Sequence, residues 1–365
     1  MKGGLPMKNF PLAAYTFSHF AVDYVCLLAV LDPWGQKETI LGGTQNYALF
    51  VITYNFLAFG LQMIIGAFCD EHRKFPASAL GCVLVLIGAL CGAFIPEAYP
   101  EYAFNLWASV LFVGVGNAFF HVGGGMESLV HSGGKLRRSG IFVSSGALGV
   151  ALGIYNCSRF TGGLLFIVPL MIFCAVICLI AHLKYPAESE TEITGVANEK
   201  IGIWAVLGLA LLSVTIRSFG GTAIPMEWKT TAELGLLSGF GAFFGKFIGG
   251  FAADFFGARR TGTATLLASL PLIIFGSGNM IVSVIGIILF NMTMPITLGI
   301  VAQRLPKNPG IAFGLTTAAL LLGAVPSFFA VTSGKILLLI PAVIVSAACI
   351  WFSAENKKSL VVHEK

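Results

Sequence analysis

The sequence predicts an all-α polytopic membrane protein, with twelve transmembrane helices in two pseudo-symmetric six-helix bundles. Three observations lead there. Apolar residues make up 56% of the 365 residues and charged residues only 11%, under half the charged share of about 25% that coats a soluble domain. The apolar residues fall into runs of bilayer-spanning length, roughly 20 residues each, without the short alternating segments of a β-barrel. A polar signature also recurs at half-chain distance: Gly66 and Gly250 are 184 residues apart, as are Asp70 and Asp254.

In chain order the spans are read at 11–31, 45–69, 76–95, 102–126, 139–156 and 163–183, then at 201–224, 232–255, 261–277, 279–302, 311–331 and 334–353. The first apolar stretch continues into a full span, so it is taken as an uncleaved first helix rather than a signal peptide. Every connection is short except KYPAESETEITGVANEK, a polar and acidic linker at 184–200. It divides the chain into an N-terminal bundle, 1–183, and a C-terminal bundle, 201–365. Orientation follows from lysine and arginine, which are retained on the cytoplasmic side. With the N-terminus inside, sixteen of the 22 basic residues fall on the cytoplasmic side and four (Lys37, Arg159, Lys229 and Lys335) on the other, while Arg217 and Lys246 stay within spans. Both termini are therefore expected in the cytoplasm, with the protein multi-pass in the cell membrane.

Composition also excludes several classes. The net charge of +5 is scattered among short loops and makes no patch for nucleic acid. The eight cysteines lie mostly in apolar runs, with no CxxC and no zinc-finger spacing, so they read as small buried hydrophobes rather than disulfide or metal partners. No nucleotide motif and no nucleophile-plus-base constellation is present. No cofactor and no enzymatic activity are expected, and the chain is read as a monomer.

The repeated signature has a physical use. GAFCDEHRK (66–74) follows the second span and GGFAADFFGARR (249–260) the eighth. Glycine lets helices approach closely, and an aspartate at a helix end can meet basic residues or the N-terminal dipole of a neighbour. Gly66, Asp70, Arg73 and Lys74, with Gly250, Asp254, Arg259 and Arg260, are thus candidate gating residues. Two six-helix halves carrying such repeats suggest rocking of one half against the other about a central site.

Twelve spans in two sixes, with this loop between spans two and three and again between eight and nine, resemble the major facilitator superfamily over nearly the whole chain. Within it, SHFAVD (18–23), GNAFFH (116–121), RRSGIFVSSGALGVALG (137–153) and TIRSFGGTAIP (215–225) resemble the fosmidomycin-resistance-type branch of drug exporters. The chain departs from that branch where His121 is followed by Val122 and Gly123 instead of Pro-Glu, and in lacking a Gly-Pro pair in the fifth span. The resemblance implies a central cavity lined by the first, fourth, seventh and tenth spans. It also implies secondary transport of a small organic molecule, as proton-coupled efflux.

Charge inside the bilayer is costly and marks functional candidates. His19 and Asp23 lie four apart, on one face of the first span; Asp23 is the candidate proton-coupling site and His19 its partner. Arg217 offers a planar fork suited to carboxylate or phosphate and is expected either to pair with Asp23 or to hold a substrate anion. Lys246 stands near the middle of the eighth span. Together the two cations favour an anionic or zwitterionic substrate. Asn55 and Asn291, each near a span centre, are candidate hydrogen-bonding groups for it. In GVGNAFFHVGGGME (114–127), Asn117 and His121 share one face of the fourth span. The three glycines are expected to loosen the helix, and Glu127 to meet the interface beside His131, Lys135, Arg137 and Arg138, making a cytoplasmic gate. His19, Asp23 and His121 could supply metal ligands, but the sequence completes no ligand set. The alternatives are transport of an organic anion, lipid or divalent metal by the same fold, and an intramembrane acyl-transfer enzyme built on His19 and Asp23.

Overall fold

The computed structural model describes residues 9–355 apart from 33, 94–99, 160–162, 188–189 and 330–335. Both termini, with Lys2, Lys8, Lys357, Lys358 and Lys365, lie outside the described residues, as does Lys335.

Helices account for nearly everything described. The first half comprises α1 (Phe10–Val30), a short α2 (Gln36–Ile40), α3 (Thr44–Asn55), α4 (Gln62–Glu71), α5 (Ala77–Ala93), α6 (Ala103–Val130), α7 (Leu136–Asn156) and α8 (Gly163–Lys184). The second comprises α9 (Ile203–Thr222), α10 (Ala232–Phe256), α11 (Ala258–Phe275), α12 (Met280–Asn291), α13 (Met294–Arg304), α14 (Pro309–Phe328) and α15 (Ile336–Ser353). Among the described residues, nine helices are long and apolar enough to cross a membrane, and Ala77–Gly92 and Leu338–Ser353 are shorter apolar ones. The remaining span, α11, opens on Arg259 and Arg260. The outer surface of the spans is apolar: Leu165 is 92% exposed, Phe275 84% and Phe255 72%. Such side chains are stable only against hydrocarbon.

Two spans are irregular at mid-depth. A π-turn, Phe56–Gly60, joins α3 to α4 within the second span, where a wider turn displaces the ladder and marks functional sites. The tenth span breaks between Asn291 and Met294, with Pro295 in the first turn of α13. Proline has no N–H to give to the preceding turn, so the helix restarts there.

Each half packs around its first helix. α1 lies against α5, α6, α7 and α8, and α9 against α13, α14 and α15. The halves meet along two seams, α4 on α14 and α7 on α10, which a two-fold exchanges: second span on eleventh, fifth on eighth. Glycine makes both seams possible. A methyl on Gly66 would collide with the Gly310 carbonyl, and one on Gly250 with the backbone of Leu136 and Arg137.

One basic end of the molecule is sealed by the repeated aspartates. Asp70 Oδ1 and Oδ2 accept from the Gly310 and Ile311 amides at 2.9 and 2.8 Å, at the start of α14. Asp254 Oδ1 and Oδ2 accept from the Leu136 and Arg137 amides at 2.9 and 3.1 Å, at the start of α7. Each carboxylate satisfies two unpaired first-turn N–H groups and sits on the positive end of a helix dipole. The connection between halves is no loose tether. Thr191 N donates to Pro306 O, Val196 and Ala197 N to Gln303 Oε1, and Asn198 N to Ser353 O, so the linker is docked beneath the second half. We expect Asp70→Ala and Asp254→Ala each to destabilise the protein by about 1–2 kcal/mol, the range for losing a helix cap, and the double variant to sum the two because the seams share no partners. Denaturation midpoints in detergent micelles check this.

Candidate functional site

A cavity of about 760 Å³ lies between the halves. His19, Asp23, His121 and Gly146 line its first-half wall, Asn55 and Phe59 flank it beside the π-turn, and Lys246, Met294, Phe313 and Thr317 line the second-half wall. It runs away from the sealed end as far as Tyr155 and residues Lys229 to Ala232. A smaller cavity of about 280 Å³ adjoins it in the second half, lined by Arg217, Asn291 and Lys246.

The first-half wall holds a compact ionisable cluster built by three helices. α1 presents His19 and Asp23 one turn apart, with Nε2 and Oδ2 3.4 Å from each other. α6 brings His121, whose Nε2 is 3.5 Å from Asp23 Oδ1 and 3.0 Å from His19 Nε2. Asn117, one turn before His121, donates from Nδ2 to Asp23 Oδ1 at 3.2 Å. α7 contributes backbone: the Phe142 carbonyl accepts from His19 Nδ1 at 2.8 Å, and the His19 and Phe142 rings stack at 4.4 Å. His19, Asp23 and His121 are 5%, 7% and 6% exposed, so only the cavity side is open.

The hydrogen bonds fix the tautomers. His19 Nδ1 faces the Phe142 carbonyl and His121 Nδ1 the Asn117 carbonyl at 2.9 Å. A carbonyl only accepts, so both Nδ1 atoms carry hydrogen and both Nε2 atoms turn inward. Two bare Nε2 lone pairs 3.0 Å apart would repel. A positive charge, such as a shared proton, satisfies both, and the Asp23 carboxylate beside them balances it.

The second-half wall is cationic. Arg217 is 6% exposed and donates from Nη1 to Thr293 Oγ1 and from Nη2 to Met294 Sδ, at the break in the tenth span. Its partners are therefore within its own half, and no ion pair joins it to Asp23 among the described residues. Lys246 has no ion pair or hydrogen-bond acceptor among the described residues and faces the cavity. Asn55 and Asn291 turn back on their own helices, donating to Val51 O and Ile287 O at 2.9 Å each.

The remaining expected residues fall elsewhere. α6 runs unbroken through Gly123, Gly124 and Gly125; a methyl on Gly123 would meet the backbone of Ser78, and one on Gly125 the Phe313 ring. These glycines bring helices together rather than loosening one. Glu127 is 1% exposed and does not reach the interface. Its Oε1 accepts from His182 Nδ1 at 2.9 Å, while His182 Nε2 donates to the Lys74 carbonyl at 3.0 Å. The Lys74 carbonyl fixes a hydrogen on His182 Nε2, and Nδ1 meets the buried carboxyl group, which also lies 3.5 Å from His131 Nδ1. Arg73 donates to Ala187 O at 3.2 Å and to Lys307 O at 2.7 Å, tying linker to both halves. Arg259, two residues further from its aspartate, instead donates to Ala354 O at 2.8 Å within the second half. Lys74 and Arg260 are exposed. Gly146 and His182 were not singled out from the sequence. A histidine in the last turn of an apolar span was the available signal for His182, and Gly146 carried none among so many glycines.

No family model matches the chain. Among solved structures, the major facilitator superfamily transporter FucP in its outward conformation is similar, with a TM-score of 0.62 and 14% identity over 95% of this chain and 98% of that one. A variant of the E. coli fucose:proton symporter FucP is similar with a TM-score of 0.63 and 14% identity over 94% and 97%. Likeness at this identity establishes the fold: this chain has the twelve-helix architecture of the major facilitator superfamily transporters. We expect Glu127→Ala to cost about 1–3 kcal/mol by leaving His182 Nδ1 buried without its partner, and Glu127→Ala combined with His182→Leu to recover part of it. Urea midpoints in mixed micelles read both.

Proposed function

We propose that this protein is a secondary active transporter of a small organic anion, working by alternating access, with a proton carried by the His19–Asp23–His121 cluster. The observation that carries the reading is the charge layout of the cavity: a carboxylate between two histidines on one wall, and on the other a lysine with no ion pair among the described residues. The seals built by Asp70 and Asp254 support rocking of the halves, since the same carboxylate clamp holds both seams and can release both. Gly66, Gly250, Arg73 and Lys74, Arg259 and Arg260, and Glu127 then hold the two halves and their linker in the sealed geometry. The basic loops support a cytoplasmic setting for that end, and the cavity opens the other way.

The same layout sets the coupling. With a proton on the histidine pair, Asp23 is neutralised within its own cluster, and Lys246 and Arg217 are left to attract an anion. With the proton gone, Asp23 is an uncompensated carboxylate facing Lys246 across a chamber of low dielectric, and it competes with the anion for that ammonium. Proton and anion therefore load together, which is symport, and proton symport is what the FucP symporter's name states for the same fold. Asn55, Asn117 and Asn291 supply neutral hydrogen bonds around the chamber. A second reading, proton-coupled efflux, follows from the resemblance of SHFAVD and GNAFFH to the drug-exporter branch.

Purified protein in liposomes tests both, with a panel of small organic anions and a pH gradient of either sign. Uptake driven by external acid supports symport; extrusion driven by the opposite movement of protons supports efflux. We expect Asp23→Asn to abolish the response to the gradient while exchange of substrate persists, and Lys246→Met to raise the half-saturating anion concentration about tenfold, worth ~1.4 kcal/mol. Gradient-driven transport by Asp23→Asn at the wild-type rate would end the coupling role.

A further inference from the structure

We infer that His19, Asp23 and His121 form a binding site for one divalent first-row transition-metal ion of the zinc class, with its open coordination positions turned into the cavity. This goes beyond the transport reading and rests on the cluster's geometry alone.

The three donor atoms lie within 4.8 Å of one another. The two Nε2 atoms are 3.0 Å apart, His19 Nε2 is 3.4 Å from Asp23 Oδ2, and His121 Nε2 is 3.5 Å from the other carboxylate oxygen, Oδ1. Zinc bonds to imidazole nitrogen and carboxylate oxygen are about 2.0–2.2 Å long, which puts neighbouring ligands of a tetrahedron about 3.3 Å apart. The nitrogen–nitrogen edge and one nitrogen–oxygen edge already have about that length, and the second histidine lies equally close to the other carboxylate oxygen. Two imidazoles and one carboxylate select zinc-like ions over magnesium or calcium, which take all-oxygen shells.

The surroundings are those of a built site. Each ligating histidine donates its other ring nitrogen to a backbone carbonyl, Phe142 for His19 and Asn117 for His121, fixing the tautomer that leaves Nε2 free for metal. Asn117 Nδ2 orients the carboxylate. α7 leaves room beside the donors through Gly146, where a methyl would collide with both His19 Nε2 and Asp23 Oδ2. Lys246 lines the facing wall, so an anionic ligand completing the metal's shell from the cavity meets a cation on its far side.

Zn²⁺ titration of the untagged, metal-stripped protein in nanodiscs, followed by calorimetry, tests the inference. We expect one Zn²⁺ per chain with a Kd of about 1 μM or tighter, weakened about 100-fold by His19→Ala or His121→Ala and unchanged by His72→Ala, an exposed histidine on the sealed end. Gly146→Ala places a good helix former on α7 and removes binding by filling the pocket, so the test does not depend on stability of the histidine variants. X-ray absorption at the zinc edge of the wild-type protein should show two imidazole nitrogens and oxygen ligands. Absence of binding up to millimolar Zn²⁺, or binding that survives both histidine substitutions and Gly146→Ala, overturns the site. Zinc and the coupling proton claim the same two Nε2 lone pairs, so bound Zn²⁺ should block proton-driven transport in the liposome assay, whereas absence of zinc binding leaves the proton reading to that assay alone.

Discussion

Two aspartates hold the molecule in the form described. Asp70 and Asp254 each reach across the boundary between halves and accept two backbone amides at the start of a helix in the opposite half. The interaction is strong because those amides have no partner within their own helices and the carboxylate meets the positive end of a dipole. It is also reversible, since both donors and acceptors can be hydrated when the seam opens. Gly66 and Gly250 serve the same contact by letting the backbones touch. The two clamps are related by the pseudo-two-fold and lie at the same end of the molecule, with the cavity beyond them.

Above that seal the chamber separates charge by half. The first half contributes a carboxylate and two histidines whose outward nitrogens are committed to backbone carbonyls, so their inward nitrogens demand a positive occupant. The second half contributes Arg217, held at the break of the tenth span, and Lys246, without a partner of its own among the described residues. Neither wall is electrostatically complete. An ion on one side and an anion between the walls complete both, so occupancy and the packing of the halves are linked through the same few side chains. Away from the chamber, Glu127 on α6 pairs with His182 on α8, and the same ring reaches the Lys74 carbonyl in the loop after α4.

Much of the fold was legible in the sequence because the bilayer constrains it so tightly. Apolar runs of spanning length set the helices, and the 184-residue repeat of Gly and Asp exposed the two-fold. Spacing within a helix was legible too: His19 with Asp23, and Asn117 with His121, each four apart, do share a face. What failed was inference across helices. Glu127 looked like an interface residue because basic residues follow it in sequence; it is instead buried, with the expected His131 one turn on at 3.5 Å and His182 arriving from another helix 55 residues away. The triple glycine looked like a flexible end because glycine is a poor helix former, yet close packing against α5 and α14 outweighs that preference.

By itself, then, the sequence determined the helical class, the apolar spans and the internal repeat, all of which follow from hydrophobicity and period along one chain. Only the tertiary structure decided which ionisable groups meet. His19 is 102 residues from His121 and 127 from Gly146. Their convergence depends on how α1, α6 and α7 cross, and crossing geometry is set by side-chain packing between helices, which no spacing within any one of them encodes.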